Sequence, residues 1–215
     1  MNAPSDMSRR AFFRFSGRKI VEKAGQALDE TVRHDARRWF RPPFARDELT
    51  FLTTCTRCQA CIDACPEGLI FRLPVSVGVR AAGTPALDLR NRACALCTDW
   101  PCVAACEPHA LRLPDPPEED ATGADPAGTE VADHDMPAPA LAVVSIDVST
   151  CLPYHGPECG ACGTACPIPG ALRWDGPRPR VDMAHCVGCG QCRVACITEP
   201  KAIDVRTIHA RTSTP

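Results

Sequence analysis

Apolar positions are sparse along this chain and order themselves in only a few places. Ile20, Ala24, Ala27/Leu28, Thr31/Val32 and Ala36 recur at three- and four-residue intervals, which predicts an amphipathic helix over residues 17–38. Arg41-Pro42-Pro43 would end it, since a proline has no amide hydrogen and pushes the preceding residue out of helical geometry. Three short apolar runs, residues 143–148, 171–174 and 202–205, suit small strands. Residues 114–140 hold six prolines, eight acids and no Lys or Arg. Such a stretch cannot bury enough apolar surface to offset the entropy of ordering, and it reads as a flexible linker. No apolar run approaches the ~20 residues of a membrane helix, so an integral membrane protein is not expected.

What fills the rest of the chain is cysteine. Sixteen cysteines fall eight on each side of the linker, and each eight is two quartets. The first half carries Cys55, Cys58, Cys61, Cys65 and then Cys94, Cys97, Cys102, Cys106. The second carries Cys151, Cys159, Cys162, Cys166 and then Cys186, Cys189, Cys192, Cys196. The text after the fourth cysteine also repeats: "CPEGLIFRL" matches "CPIPGALRW", and "CEPHALRL" matches "CITEPKAIDV". The chain is a duplicated unit that is itself pseudo-symmetric. The cysteine-dense stretches between the strands read as tight loops leading into short helices.

Composition agrees that something besides a hydrophobic core must hold this fold. The apolar fraction of 45% falls to about 38% without the cysteines, and domains this poor in apolar mass need a staple. "CTRCQACIDACP" is C-x2-C-x2-C-x3-C-P, the iron–sulfur run of bacterial ferredoxins. Three cysteines at three-residue intervals wrap one face of a cubane, and the fourth, on a short helix pointing away, reaches a second cluster. Cys186 to Cys196 repeats this spacing, with Gly188 and Gly190 allowing close backbone approach. Cys94 to Cys106 is C-x2-C-x4-C-x3-C, and Cys151 to Cys166 is C-x7-C-x2-C-x3-C. The longer loops cost little in closure entropy.

Crossed ligation then gives four sets: Cys55, Cys58, Cys61 and Cys106; Cys65, Cys94, Cys97 and Cys102; Cys151, Cys159, Cys162 and Cys196; Cys166, Cys186, Cys189 and Cys192. The expectation is four [4Fe-4S] clusters. Structural zinc usually separates two C-x2-C pairs by a longer spacer, and the third cysteine at x2 fits it poorly. A disulfide scaffold suits a secreted protein, but cysteines this close in sequence pair poorly. His109, His155 and His185 read as surface or hydrogen-bonding side chains, with His185, beside Cys186, the one placed to tune a cluster.

Charge adds a polarity. The formal net charge of −2 gives no case for nucleic acid. Each loaded site carries about −2, so the holoprotein stands near about −10. Against it, residues 1–46 hold eleven Arg and Lys and five acids. Ser8-Arg9-Arg10 followed by Phe12 and Phe13 opens like a twin-arginine export signal. The uncharged core of such a signal is missing, because Arg14, Arg18, Lys19, Glu22 and Lys23 interrupt it. The segment reads as a retained basic element that docks on the body or on a partner, in a cytoplasmic protein. No Ser-His-Asp order, phosphate loop or dinucleotide fingerprint is present, so no independent catalytic site is expected.

Together these give a small, irregular α+β fold: a basic N-terminal helical extension (1–46), a bacterial-type 2[4Fe-4S] ferredoxin-like module (47–113), an acidic linker (114–140) and a second such module in tandem (141–210). The four quartets, the x7 third quartet, the basic Ser8-Arg9-Arg10 opening and "RPPFARDELTFLTTCTRCQACIDAC" resemble the NapF family, ferredoxin-type accessory proteins of periplasmic nitrate reductase systems. The resemblance implies a soluble cytoplasmic protein that acts on the precursor of the catalytic nitrate reductase subunit before export and assists its maturation. It transfers only the sixteen cysteines as ligands. The acidic linker and the x4 loop around Trp100 depart from the family pattern. A general electron carrier, or an electron-transfer subunit of a larger oxidoreductase, is the other reading of the same residues.

Overall fold

The computed structural model describes residues 38–114 and 137–208. The helix expected over 17–38 and most of the linker lie outside the described residues. Within them the protein is a small α+β structure of short helices and two-stranded sheets.

The first half begins by threading Trp39 and Phe40 into the interior, 6% and 5% exposed. Phe40 bridges Leu87, and Ala45 bridges Leu111. Helix α1 (Glu48–Thr54) starts where the Asp47 carboxylate accepts the Thr50 amide, and it turns Phe51 fully inward. A second short helix, α2 (Ala60–Asp63), leads to strand β1 (Ile70–Arg72). Strand β1 pairs antiparallel with β2 (Pro85–Leu87), Ile70 opposite Leu87 and Arg72 opposite Pro85. Helix α3 (Pro101–Ala104) follows, with proline at its start. The half closes where Arg46 N–H donates to Ala110 O and Arg112 N–H to Phe44 O.

The second half repeats this plan with longer outer strands. Strand β3 (Val143–Ile146) pairs antiparallel with the last strand, β6 (Ile203–Arg206). Between them lie helix α4 (Ala161–Ala165), the hairpin β4 (Leu172–Asp175) and β5 (Arg178–Val181), and helix α5 (Gln191–Ala195). Each half therefore has an outer pairing of its first and last segments and an inner hairpin, as the repeated text implies. Strand β3 stops earlier than the apolar run because the Asp147 carboxylate accepts both the N–H and the hydroxyl of Ser149, turning the chain before Val148.

The inner hairpins differ. Gly176 and Pro177 alone join β4 to β5, whereas residues 73–84 separate β1 from β2. That longer connection is anchored, not loose. Leu73 N–H donates to Thr84 O and Gly83 N–H to Leu73 O, while Leu73 and Ala81 bury against Trp39 and Ala86. Arg41 supports the same region. It bonds the buried Glu48 carboxylate, Thr84 Oγ1 and Pro85 O, and it lies over the Trp39 and Phe51 rings.

One core serves both halves. Phe51, Leu69, Leu89 and Leu111 pack in the same cluster as Val144, Ile203 and Val205, and buried cysteines from both halves complete it. The halves meet along α5. Cys94 N–H donates to Cys189 O at 2.8 Å, Gln191 Nε2 to Cys94 O at 3.2 Å and Arg193 Nε to Arg90 O at 2.7 Å. Gly190 makes this closeness possible, since a Cβ there would fall 3.2 Å from Arg92 O; Gly188 does the same within the second half, where a Cβ would fall 2.3 Å from Ala142 O.

Candidate metal centres

The cysteines come together across quartets. Cys55, Cys58, Cys61 and Cys106 line one cavity of about 370 Å³. Cys65, Cys94, Cys97 and Cys102 line a second of the same size. Cys151, Cys159, Cys162 and Cys196 line a third of about 360 Å³. Cys166, Cys186 and Cys189 surround Cys192 closely enough to act on its thiol electrostatically. In every group one cysteine comes from the opposite quartet of its half, on the far side of an inner hairpin.

The backbone explains why. In three of the quartets the residue before the second cysteine is left-handed: Arg57 (φ 61°), Leu96 (φ 54°) and Gly188 (φ 75°). The residue two before the third cysteine is left-handed as well: Gln59 (φ 75°), Trp100 (φ 41°) and Gly190 (φ 86°). Alternating right- and left-handed residues turn successive N–H groups to one side, forming the anion-binding nest found at phosphate and iron–sulfur sites. Only the last of these quartets signals the turns with glycine. In the first half Arg, Gln, Leu and Trp carry the strain, and sequence reading had no handle on them. The Cys151 quartet departs from the pattern. Its x7 loop is occupied by a 3-10 turn (Leu152–Tyr154), and Gly160, two before its third cysteine, sits at φ −158°, outside the left-handed region.

The x4 loop of the second quartet also has a physical role. It carries Trp100, 7% exposed, into the wall of the second cavity, edge-on to Phe44 at 5.0 Å between ring centroids.

Electrostatics describe sulfurs packed away from water and against each other. Burial pushes the Cys61 thiol up to about 12, and Cys106, Cys55 and Cys58 add to it. Burial likewise lifts Cys102 to about 12, with Cys94, Cys65 and Cys61 next. Cys192 is raised to about 12 by burial and then by Cys189, Cys186 and Cys166. Cys94 rises to about 11, mainly through burial, with its Leu96 amide bond opposing. Cys196 goes the other way. Burial would raise it, but the Thr198 hydroxyl and the amides of Thr198, Ala202 and Ile203 together lower it. Leu111 N–H points at Cys106 Sγ at 3.3 Å. Thiolates gathered in one cavity, two of each four buried, require positive charge at its centre, and N–H groups directed at sulfur are the tuning device of cluster sites.

The donor set also speaks to the kind of metal. All sixteen cysteines are free thiols. A zinc ion with Zn–S bonds of about 2.3 Å would gather its sulfurs within about 3.8 Å of each other. Among the described residues no group of three or more Cys, His, Asp or Glu side chains is placed to hold a single metal ion. An all-thiolate lining is the donor set that iron–sulfur clusters take. Two of the three histidines near the cysteines are engaged elsewhere: His155 with Val148 O at 3.0 Å and His185 with the Asp182 carboxylate at 3.1 Å.

Cysteine quartets interleaved in a small duplicated α+β fold define a protein of the iron–sulfur type. Comparison with known proteins agrees. The chain is 32% identical over 190 residues to the methylamine utilization ferredoxin-type protein MauM of Methylobacillus flagellatus, covering 84% of this chain and 74% of that protein. It is 34% identical over 178 residues to ferredoxin-type protein NapG of Haemophilus influenzae, covering 77% of this chain and 57% of that protein. It is 30% identical over 175 residues to ferredoxin-type protein NapF of Escherichia coli, covering 79% and 86%. The chain belongs to the ferredoxin-type proteins. The NapF resemblance read from the sequence thus reaches a wider family, in which MauM and NapG relatives match as well as NapF does. No family model and no solved structure matches the chain. Among the described residues no helix is long and apolar enough to cross a membrane.

Proposed function

We propose that this chain is a four-cluster electron-transfer protein, with one [4Fe-4S] cluster held by each of the four cysteine sets read from the spacing. A cluster of this type supplies one-electron redox chemistry when bound. The chain's own residues do the rest. The thiols fix position, left-handed turns aim N–H groups at sulfur, and Trp100, Phe51 and Leu69 keep water from the walls. The observation that carries the reading is contiguity. Helices α2 and α3, which carry Cys61 and Cys102, pack together in the first half, and α4 and α5, which carry Cys162 and Cys192, pack together in the second. Cys94 and Cys189 share a backbone hydrogen bond between the halves. These contacts support a reading in which the four sites are neighbours in the order Cys55 set, Cys65 set, Cys166 set, Cys151 set. A store of separate structural metals gains nothing from such an order, whereas a carrier needs it.

The finer reading is that the protein works in the cytoplasm on the catalytic subunit of periplasmic nitrate reductase before export, assisting its maturation. The NapF-like segment 41–65 and the Nap-named relatives support it. Relatives named for methylamine utilization support the broader alternative, a carrier serving a larger oxidoreductase system.

Anaerobic purification tests the core of the proposal. About 16 iron and 16 sulfide per chain are expected, with the reduced protein giving the EPR of interacting clusters. A colourless, zinc-replete protein would end it. Co-purification with the precursor catalytic subunit tests the finer reading. Failure to bind, with full iron, leaves the general carrier.

A further inference from the structure

The first-half hairpin carries what its duplicate does without. Two residues suffice to join β4 to β5, so the insertion at residues 73–84 is not required to build a quartet site. It nevertheless leans on one. Gly83 and Pro85 form part of the wall of the Cys55 cavity. Arg57, inside the Cys55–Cys58 loop, donates to Ala82 O and Arg80 O, and its stem crosses the bare face of Gly83.

The outer surface of this insertion is unusual. Val75 and Val79 are 85% and 90% exposed, and neighbouring Phe71 is 41% exposed. They are held out by a rigid base, since Leu73 and Ala81 are buried. Beside them lies a groove of about 560 Å³ lined by Trp39, Leu52, Val77, Val79 and Arg80, among others. Arg72, Arg57 and Arg80 run along the same side, linked by Arg72 to Arg57 O and Arg57 to Arg80 O. No carboxylate among the described residues pairs with any of the three. In a chain of net charge −2 this is a local reversal of sign. Cys58, at the mouth, is exposed.

Arginines alone could be counterbalancing the thiolates they surround. The valines could not be, because apolar side chains presented to water on an anchored platform add nothing to a metal site. The combination of an apolar tip with unpaired guanidiniums is that of a protein contact: an apolar centre excludes water while the rim charges steer and orient.

We propose that residues 73–84, with Arg57 and Arg72, form the docking surface for a protein partner whose contact face sets carboxylates around an apolar patch. The proposal deepens the electron-carrier reading by naming the partner's chemistry and the site, the Cys55 set, over which it sits.

The test titrates the holoprotein calorimetrically with a flavodoxin, an acidic carrier protein, at low and at physiological salt. Iron and sulfide are counted first, so a failed cluster assignment shows there and not in the binding. The expected result is binding that weakens steeply with salt. The doubles Val75→Asp/Val79→Asp and Arg72→Glu/Arg80→Glu each lose about tenfold or more in affinity, and the arginine double also flattens the salt dependence. Both keep full iron: the buried anchors are untouched, and Arg57 still ties the Cys55–Cys58 loop to Ala82 O and Arg80 O when the exposed Arg72 bond to Arg57 O is lost. Arg178→Glu, at the opposite hairpin, binds as the wild type does. Undetectable binding of the wild type at low salt, or doubles that bind unchanged, overturns the proposal. So does finding that the doubles abolish self-association in the ultracentrifuge, or binding to phosphatidylserine vesicles, while leaving flavodoxin binding intact.

Discussion

Replacing Gly188 by alanine tests how tightly the second half closes. Gly188 sits at φ +75°, and a Cβ there would meet Ala142 O at 2.3 Å, Ala142 N at 2.5 Å and Ala142 C at 2.7 Å. All three are backbone atoms, and the adjoining Leu141 N–H donates to Val187 O at 2.7 Å, so the two segments cannot part without losing that bond. Two costs combine. Left-handed geometry costs an alanine about 1 kcal/mol, and forced overlap in a packed interior adds about 1–3 kcal/mol. Gly176→Ala provides the control, since φ is +59° but nothing lies within 4 Å of its Cβ. It pays the first cost without the second. Expected losses are about 1 kcal/mol for Gly176→Ala and about 2–4 kcal/mol for Gly188→Ala, out of the about 5–15 kcal/mol that hold a domain together. Anaerobic thermal melts of the two holoproteins, followed by cluster absorbance, should separate by at least about 3 °C, with Gly188→Ala losing iron first. If both variants melt together, the close approach to Ala142 carries no weight and the argument for the closure fails.

Arg41→Met should destabilise the protein by about 3–5 kcal/mol, because it strands the Glu48 carboxylate, whose side chain is only 2% exposed; adding Glu48→Leu should recover most of the loss in the same melts. Serine substitutions test the ligand sets by iron content: Cys61→Ser and Cys106→Ser should each remove about four iron, and the double no more than either, whereas Cys61→Ser with Cys65→Ser should remove about eight. Stripping iron with a chelator and an oxidant should abolish cooperative unfolding and most secondary-structure circular dichroism at neutral pH, since buried cysteines from both halves belong to the core; anaerobic return of iron and sulfide should restore both. An apoprotein with a sharp melt would move the stability of the fold onto its apolar residues.

The parts of this fold that the sequence announced are those carried by local rules. Hydrophobic runs before Cys151 and after Cys166 and Cys196 became β3, β4 and β6, because a short apolar run beside a turn has few alternatives. Three of the four cysteine sets read from the spacing also line a common cavity each. Three things were not legible. Left-handed Arg57, Gln59, Leu96 and Trp100 have no composition signature, since the surrounding structure, not their own preference, imposes the conformation. The joining of the halves through Cys94, Cys189 and Gln191 depends on residues nearly a hundred positions apart. Spacing beside the cysteines also does not show what the glycines face on the protein side, where Gly188 makes room for Ala142 and Gly190 for Leu89 and Arg92.

The way each cavity borrows a wall from the opposite quartet bears on how the protein is made. On the ribosome, Cys55, Cys58 and Cys61 emerge together, yet the cavity they line stays open until Cys106 has been translated. Cys65 waits in the same way for Cys94, Cys97 and Cys102. Neither pocket of the first half can be finished from a nascent chain that stops between the quartets. A truncated message therefore yields thiols without a container, and cluster delivery has to be timed to the end of each half.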